Sequence, residues 1–250
     1  MLWLYVEAPF AACRTFTAGW YRPTATFLTP SAAYGLVLNI AGIDSRLREG
    51  DDGHDGKTPA TLMRPGLPAM KLALGAPASP GKDTAADDSD AFPRAQSVYQ
   101  QLHNYPVGAS GKERAADCRG NKYNITPVRR EFLSDLRAVI GIDADIETLD
   151  RVRRGLQGEF PRYGVPFLGD NNFLLDRAEL HPSPGPAYWF TPVTDAGVRP
   201  QPRTVRLTIE IDRADLSRTT SKLFAPSEIA KDHPPDDAWT AIGRPKHQSA

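Results

Sequence analysis

The sequence predicts a single α+β domain, and three observations carry this prediction. Residues 2–9 alternate between apolar and more polar side chains with a period of two, which is typical of a strand with one buried face. Residues 30–43 form an apolar run that Asn39 interrupts, which indicates a helix buried on most sides. Strand and helix patterns then recur in an order that matches a split βαβ, or ferredoxin-like, domain with elaborations.

The helix predicted over residues 30–43 has recognisable ends. Ser31 is placed to accept a backbone N–H as the N-cap, and Gly42 is placed to end the helix. Within the helix, Gly35 costs about 1 kcal/mol relative to alanine. Its presence therefore predicts that another backbone lies close to it.

Composition excludes several classes of protein. The chain has 250 residues, 40% of them hydrophobic, which is enough for a core. Thirty basic and thirty acidic residues give no formal net charge, which argues against bulk electrostatic coating of nucleic acid. The two cysteines and five histidines show no ligand spacing, so we expect no metal and no other cofactor. Because neither a signal-peptide pattern nor an apolar run near about 18 residues is present, we expect a cytoplasmic protein without a membrane span.

A long connection over residues 10–29 provides the first candidate site, since loops of this length are usually functional. Arg14, Trp20, Tyr21 and Arg22 combine aromatic faces with donors suited to phosphate. A site for single-stranded nucleic acid requires both kinds of group. The alternative is that the aromatic side chains of this loop fill the edge of the core.

The next part of the chain predicts exposed segments on either side of a strand. Residues 44–58 are polar and are expected to form an exposed loop, in which DDGHDG lacks the ligands of a calcium site. Residues 69–75 alternate as a strand. Residues 76–91 are a low-complexity run of Pro, Ser, Ala and Asp, for which we expect a mobile loop.

Basic residues are concentrated between Phe92 and Arg130, where seven Lys or Arg accompany two acidic residues. Residues 94–107 predict a strand. Residues 128–142 fit either a helix or a strand, and we favour the strand partly because of a family resemblance described below. Between the two strands, residues 108–127 form a basic, hairpin-like excursion that we expect to contact a ligand or partner.

Residues 143–155 show the clearest amphipathic helix, with Asp143 or Asp145 as its N-cap and several arginines on a solvated face. Its predicted buried stripe consists of Ile146, Leu149, Val152 and Leu156. The glycine-rich segment 155–172 lacks the spacing of a nucleotide-binding loop, but its glycines allow a backbone to lie close to a neighbour or a ligand. Strands are predicted over 187–193 and 204–212. We expect the domain to span residues 1–224 and residues 225–250 to form an extended tail.

Three segments resemble the RAMP proteins of CRISPR systems. They are EAPFAACRTFTAGWYRPTATFLTPSAAYGLVLNIAGI, PVRREFLSDLRAVIGID and RYGVPFLGDNNFLLDRAEL. The resemblance is to the Cas-five family, the subunit of type I Cascade at the 5′ end of the guide RNA, in its Myxococcus-type DevS subgroup. It covers most of residues 1–180.

The resemblance implies a modified ferredoxin-like (RRM-like) domain with a protruding thumb hairpin within residues 108–127, a glycine-rich loop and additional C-terminal strands. It implies a non-catalytic subunit that caps the 5′ handle of the crRNA and joins the large subunit to the backbone subunits. Target DNA would be met indirectly, through the complex. The implied RNA contacts are Arg14, Tyr21, Arg22, Lys112, Arg114, Arg119, Lys122 and Tyr123.

One branch of the family, in type I-C systems, is a metal-independent endoribonuclease that cuts precursor crRNA with Tyr, Lys and His. Lys122 matches the lysine, but Tyr123 stands in place of the histidine and Ala41 in place of the tyrosine. Because the pKa of tyrosine is near 10, it is a poor general acid or base at neutral pH. The enzyme alternative therefore requires a different set, such as Tyr123, His103 and Lys122. A third alternative is an assembly protein with protein partners alone.

Overall fold

The structure, a computed structural model, describes residues 1–13, 15, 21–48, 50–51, 62–103, 125–162, 164–194, 201–213 and 215–243. These residues form ten strands and two α-helices. In chain order the elements are β1 (Leu2–Ala11), β2 (Tyr21–Arg22), α1 (Pro30–Ile40), β3 (Met70–Pro77), β4 (Arg94–His103), β5 (Ile125–Ala144), α2 (Ile146–Leu156), β6 (Arg177–His181), β7 (Ala187–Pro192), β8 (Val205–Glu210), β9 (Thr220–Pro226) and β10 (Thr240–Ile242).

The sheet confirms the predicted α+β class. Its central strands lie in the order β6, β1, β5, β3 and are all antiparallel, with a helix after β1 and a helix after β5. This arrangement is compatible with a ferredoxin-like domain. Strands β7, β9 and β8 extend the sheet beyond β3, and β10 pairs with β3. The sequence patterns did not predict β2, β6, β9 or β10, since each is short or lacks clean alternation.

Both helices pack on one face of the sheet, where most of the core lies. Inward residues of β1 and β5 meet there in register, for example Leu4 with Ile140 and Val6 with Ala138, all fully buried. The strand prediction for residues 128–142 is thereby confirmed, with β5 longer at both ends. At Asp135, which has a φ of 58°, the alternation of β5 is interrupted, because Leu133 and Leu136 on either side of it are both fully buried.

The N-cap of α1 differs from the prediction, whereas Gly42, with a φ of 65°, ends the helix as predicted. Thr29, rather than Ser31, is the N-cap, because its Oγ1 accepts a hydrogen bond from the Ala32 N–H at 3.2 Å. The predicted close approach at Gly35 is wrong, since a Cβ there would meet nothing within 4 Å. The close approach lies at Gly155 of α2, where a Cβ would stand 1.8 Å from the Ile40 carbonyl oxygen.

The second helix confirms Asp145 as an N-cap, since its carboxylate accepts the Thr148 N–H at 2.8 Å. The predicted buried stripe is confirmed at Leu149 and Val152 but is wrong at Ile146, which is 77% exposed. Arg151 is not a purely solvated residue. Its guanidinium donates to the carbonyl oxygens that end α1, at Ala41 and Gly42, each at 3.2 Å.

Residues 76–91, predicted as a mobile loop, make more contacts than this prediction implies. The first two residues belong to β3, and the rest are fastened by Asp88, whose side chain is 1% exposed. The Asp88 carboxylate accepts hydrogen bonds from the Ser79 N–H and Oγ–H, both at 2.7 Å, from the Ala91 N–H at 3.1 Å and from the Tyr188 hydroxyl at 3.2 Å. Composition alone did not reveal that one of its many aspartates is buried.

The extended tail predicted over residues 225–250 is corrected for residues 225–243. The first two of them end β9, residues 240–242 form β10, and the stretch between them packs on the sheet face opposite the helices. The Trp189 indole N–H donates to the Lys231 carbonyl oxygen at 2.9 Å. The rings of Trp239 and Trp3 lie 6.0 Å apart between centroids, and Ile242 of β10 is buried. Residues 244–250 lie outside the described residues. Of the loop predicted over 44–58, residues 49 and 52–58 also lie outside them, and Leu47 is buried.

Candidate nucleic-acid interface

A two-stranded ribbon extends from the sheet where β1 ends. The pairing of β1 with β5 stops at Leu133, whereas β4 pairs with β5 from Ser134 back to Ile125. Every described side chain of β4, residues 94–101, is exposed. Antiparallel pairing therefore holds the ribbon together, and its β4 edge is accessible to a partner molecule.

One face of this ribbon presents a row of two aromatic rings and a guanidinium. Tyr99 of β4 and Tyr21 of β2 both pair in register with Arg129 of β5, one on each side. Tyr99 is 72% exposed, and the Arg129 guanidinium lies over the Tyr21 ring at 5.5 Å from its centroid. Within the described part of the chain, Arg129 forms no ion pair. Rings for stacking and a cation for phosphate are the two components of a single-stranded nucleic-acid site.

Glu131 fixes the position of Tyr21. The Tyr21 hydroxyl donates to Glu131 Oε1 at 2.5 Å, and the Thr24 N–H donates to Glu131 Oε2 at 3.2 Å. The hydrogen bond to Glu131 raises the pKa of Tyr21 above its ordinary value. Tyr21 is therefore a neutral, positioned ring at neutral pH rather than an acid–base group.

The opposite face of the ribbon carries a second arginine, Arg130, which is 8% exposed. Its Nη1 forms an ion pair with Asp170 and a 3.4 Å hydrogen bond with the Gln100 side-chain oxygen. Its Nη2 is buried and has no hydrogen-bond partner among the described residues. The guanidinium also lies over the Phe173 ring, 5.5 Å from its centroid.

The end of the glycine-rich segment 155–172 and the residue that follows it bring Asp170 and Phe173 to this face. The Ala12 N–H donates to the Leu168 carbonyl oxygen at 3.0 Å, and Leu168 is buried in the core. Gly169 has a φ of 88°, and a Cβ there would stand 1.7 Å from the Ala12 carbonyl oxygen. The expectation that a glycine of this segment allows a close backbone approach is thus confirmed at Gly169.

Two of the sequence-predicted RNA contacts, Tyr21 and Arg22, lie among the residues that the structure describes. Tyr21 and Arg22 form β2, with Tyr21 on the face of Arg129 and Arg22 at the register position of Arg130. The other six predicted contacts lie outside the described residues, as does most of the predicted thumb; they are Arg14, Lys112, Arg114, Arg119, Lys122 and Tyr123. The structure adds Tyr99 of β4 and Arg129 and Arg130 of β5. The sequence signal for these residues was the alternation that predicts a strand on each side of residues 108–127.

The residues of the enzyme alternative are not brought together by the described chain. Lys122 and Tyr123 lie outside the described residues. Of His103 the structure describes the backbone, which pairs with Ile125. Ala41 is fully buried at the C-terminal end of α1. Its methyl group cannot transfer a proton.

A separate concavity of about 360 Å³ lies near the root of the ribbon and, unlike the ribbon, is lined by more acidic than basic side chains. Its charged lining consists of Glu7, Asp90, Asp135, Asp176, Arg94 and Arg137. The four carboxylates outnumber the two guanidinium groups, so the concavity repels phosphate. In the part of the chain that the structure covers, no group of three potential metal ligands occurs, and no helix is long and apolar enough to cross a membrane.

Comparisons with known proteins reveal similarity at the level of fold. No protein-family model matches the chain, and no curated protein matches it either. A chain from a solved structure described as a CRISPR RNA-guided surveillance complex is similar with a TM-score of 0.50 and 12% identity, covering 95% of both chains. A second solved structure, described as a Cas protein, is similar with a TM-score of 0.44 and 13% identity, covering 92% of this chain and 95% of the other.

Proposed function

We propose that this protein is a non-catalytic subunit of a CRISPR RNA-guided complex and binds the 5′ handle of the crRNA. The similar chain from a surveillance complex supports this setting through its fold, which it shares over 95% of both chains. The observation that carries the proposal is the row of Tyr99, Arg129 and Tyr21 along an accessible ribbon. The proposed protein partners are the backbone subunit and the large subunit, and target DNA is reached through the complex.

The thumb is the proposed continuation of this ribbon. Residues 104–124 connect His103 to Ile125, which are paired with each other at the end of the ribbon. This connection therefore leaves and re-enters the domain at one point. Its Lys112, Arg114, Arg119 and Lys122 would add phosphate contacts, and its Tyr123 would add a stacking ring. A few such contacts suffice for RNA affinity in a chain without net charge.

A non-catalytic role is the better-supported proposal. The type I-C nuclease uses a tyrosine where this chain has Ala41, a buried methyl group. The other candidate acid–base groups are a tyrosine, Tyr123, and a strand histidine, His103. Of the alternatives, an assembly protein with protein partners alone leaves two groups without a use: the exposed Tyr99, and Arg129, which forms no ion pair with any described residue.

Handle-RNA binding at several salt concentrations tests the proposal. Arg129→Ala should weaken binding to every RNA sequence and reduce the slope of log affinity against log salt by about 0.7, since one phosphate contact on a single strand is lost. Tyr99→Ala should cost about 1–3 kcal/mol with little change in slope, because stacking releases no counterions. Lys112→Ala, Arg119→Ala and Lys122→Ala should behave as Arg129→Ala does.

The matched control is Lys222→Ala. Lys222 is an exposed cation on β9, three strands away from β5 along the sheet. Its loss removes the same charge without touching the ribbon, so affinity and slope should stay at the wild-type values. If Arg129→Ala and Tyr99→Ala also bind as the wild type does, the RNA does not lie on this ribbon.

A further inference from the structure

Arg130 is an unusual residue for the base of an exposed ribbon. Its side chain is nine-tenths buried, yet one of its two terminal nitrogens has no hydrogen-bond partner among the described residues. Leaving a buried donor of a charged group unpaired costs more than leaving a neutral one. A hydrogen-bond acceptor on a bound molecule would satisfy this N–H group of Arg130.

Asp170 is the neighbour that such an acceptor would replace. It contacts Arg130 through one terminal nitrogen, so the pair is not the two-pronged arrangement that guanidinium and carboxylate can form. The side chain of Asp170 is 22% exposed against 10% for Arg130, so Asp170 lies on the solvent side of the pair. A phosphate oxygen that approaches from solvent therefore meets Asp170 first. A phosphodiester can engage both terminal nitrogens of Arg130, which the carboxylate here does not.

Three phenylalanine rings lie beside this pair. The centroids of Phe10, Phe132 and Phe173 are 5.6–6.1 Å apart, and Phe173 also lies under the Arg130 guanidinium. Phe10, the second-last residue of β1, is 45% exposed. Phe10 and the Arg130 guanidinium thus both lie beside Phe173, so the cluster offers a ring for a base and a cation for a phosphate.

We propose that Arg130 and the Phe10, Phe132 and Phe173 rings form a subsite for one nucleotide of single-stranded RNA. In it, a phosphodiester displaces Asp170 from Arg130 and the base stacks on Phe10. This inference rests on the proposed RNA-binding function and deepens it. It places RNA on both faces of the ribbon, with Arg129 on one face and Arg130 on the other. Asp170 is then a competitor that holds the arginine in place until RNA arrives.

The experiment compares variants of the full chain with short fluorescein-labelled oligouridine and oligoadenosine RNA, by anisotropy, at several potassium chloride concentrations. Asp170→Asn should bind about threefold to tenfold more tightly than the wild type, because the competing charge is lost while the amide keeps the shape of the side chain. Arg130→Gln should bind more weakly and reduce the salt slope by about 0.7. In the double variant the gain from Asp170→Asn should disappear, because the two residues act on the same contact.

Phe10→Ala tests the stacking half of the subsite, with Leu174→Ala as its control. Leu174 lies on the same loop as Asp170 and is 46% exposed, so it presents similar apolar area without a ring. Phe10→Ala should weaken binding to both RNAs by roughly fivefold to a hundredfold at unchanged slope, and Leu174→Ala should not.

Several outcomes would overturn the subsite. A merely structural ion pair predicts that Arg130→Gln and Asp170→Asn lower the thermal midpoint while the affinity of the folded protein stays unchanged. A protein-docking role for the rings predicts that Phe10→Ala weakens assembly with partner subunits and leaves RNA binding intact. Wild-type binding that depends on Arg129 and Tyr99 but not on Arg130 or Asp170 refutes this subsite alone. Absence of wild-type binding refutes the proposed function as well.

Discussion

Replacing Asp88 tests whether residues 78–91 are fastened to the domain. Asp88→Ala removes the acceptor of four hydrogen bonds. It leaves the buried Ala91 N–H without this acceptor and the buried Tyr188 hydroxyl with only a long, 3.5 Å contact to the Lys82 carbonyl oxygen. A buried donor without a partner costs about 1–3 kcal/mol. We expect the free energy of unfolding to fall by about 3–5 kcal/mol, and the thermal midpoint by roughly 6–20 °C for a chain of this size.

The same site predicts a pH dependence. Burial acts to raise the pKa of Asp88, but hydrogen bonds from Ser79, Ala91 and Tyr188 outweigh it, and the pKa lies below its ordinary value. Burial and the charge of Asp88 raise the pKa of Tyr188 to about 12, so the phenol remains a donor at neutral pH. Because the pKa of Asp88 is lower in the folded chain, its carboxylate stabilises the fold fully above the unfolded value of 3.8. That contribution is lost as the pH falls through the lower folded value.

Urea unfolding followed by circular dichroism, at neutral pH and at several values below pH 4, measures both effects. Asp87→Ala is the matched control, since Asp87 is the neighbouring carboxylate but is exposed and accepts one side-chain hydrogen bond from Thr84. It should cost less than about 1 kcal/mol. Equal unfolding free energies for the two variants would refute the fastening of this segment, as would a Gly-Ser replacement of residues 78–91 that keeps full stability. The difference in unfolding free energy between Asp88→Ala and the wild type should also become smaller below pH 4.

Two further predictions concern the helices and catalysis. Gly155→Ala should lower the free energy of unfolding by about 1–3 kcal/mol, although alanine favours a helix by about 1 kcal/mol, because the added methyl meets the Ile40 carbonyl oxygen. Gly35→Ala, where the space is open, should be neutral or stabilising in the same urea titration, and the reverse order of the two variants would contradict this account of helix packing. Labelled repeat RNA incubated with the protein without divalent metal should remain intact. Specific cleavage that Tyr123→Phe or His103→Ala abolishes would favour the enzyme.

The elements of this fold could be predicted from the sequence because each has a local cause. Alternation with a period of two identifies β1 and the inner half of β5, since successive side chains of a strand point to opposite faces. The apolar run of α1 and the capping aspartate of α2 are equally local. Of the candidate site, Tyr21 and Arg22 could be selected in the same way, as aromatic and basic residues within one long connection.

Tertiary structure decided what depends on residues far apart in the chain. Asp88 is one of several aspartates in a polar run until Tyr188, a hundred residues away, donates to it. The glycine that allows close helix packing is Gly155 rather than Gly35, because the crossing point of two helices is not encoded within either one. Arg130 and Asp170 likewise look like ordinary surface charges. The pairing of β4 and β5 and the glycine-rich loop together bury the arginine beside a single carboxylate, and a contact of this kind depends on the arrangement of the whole sheet.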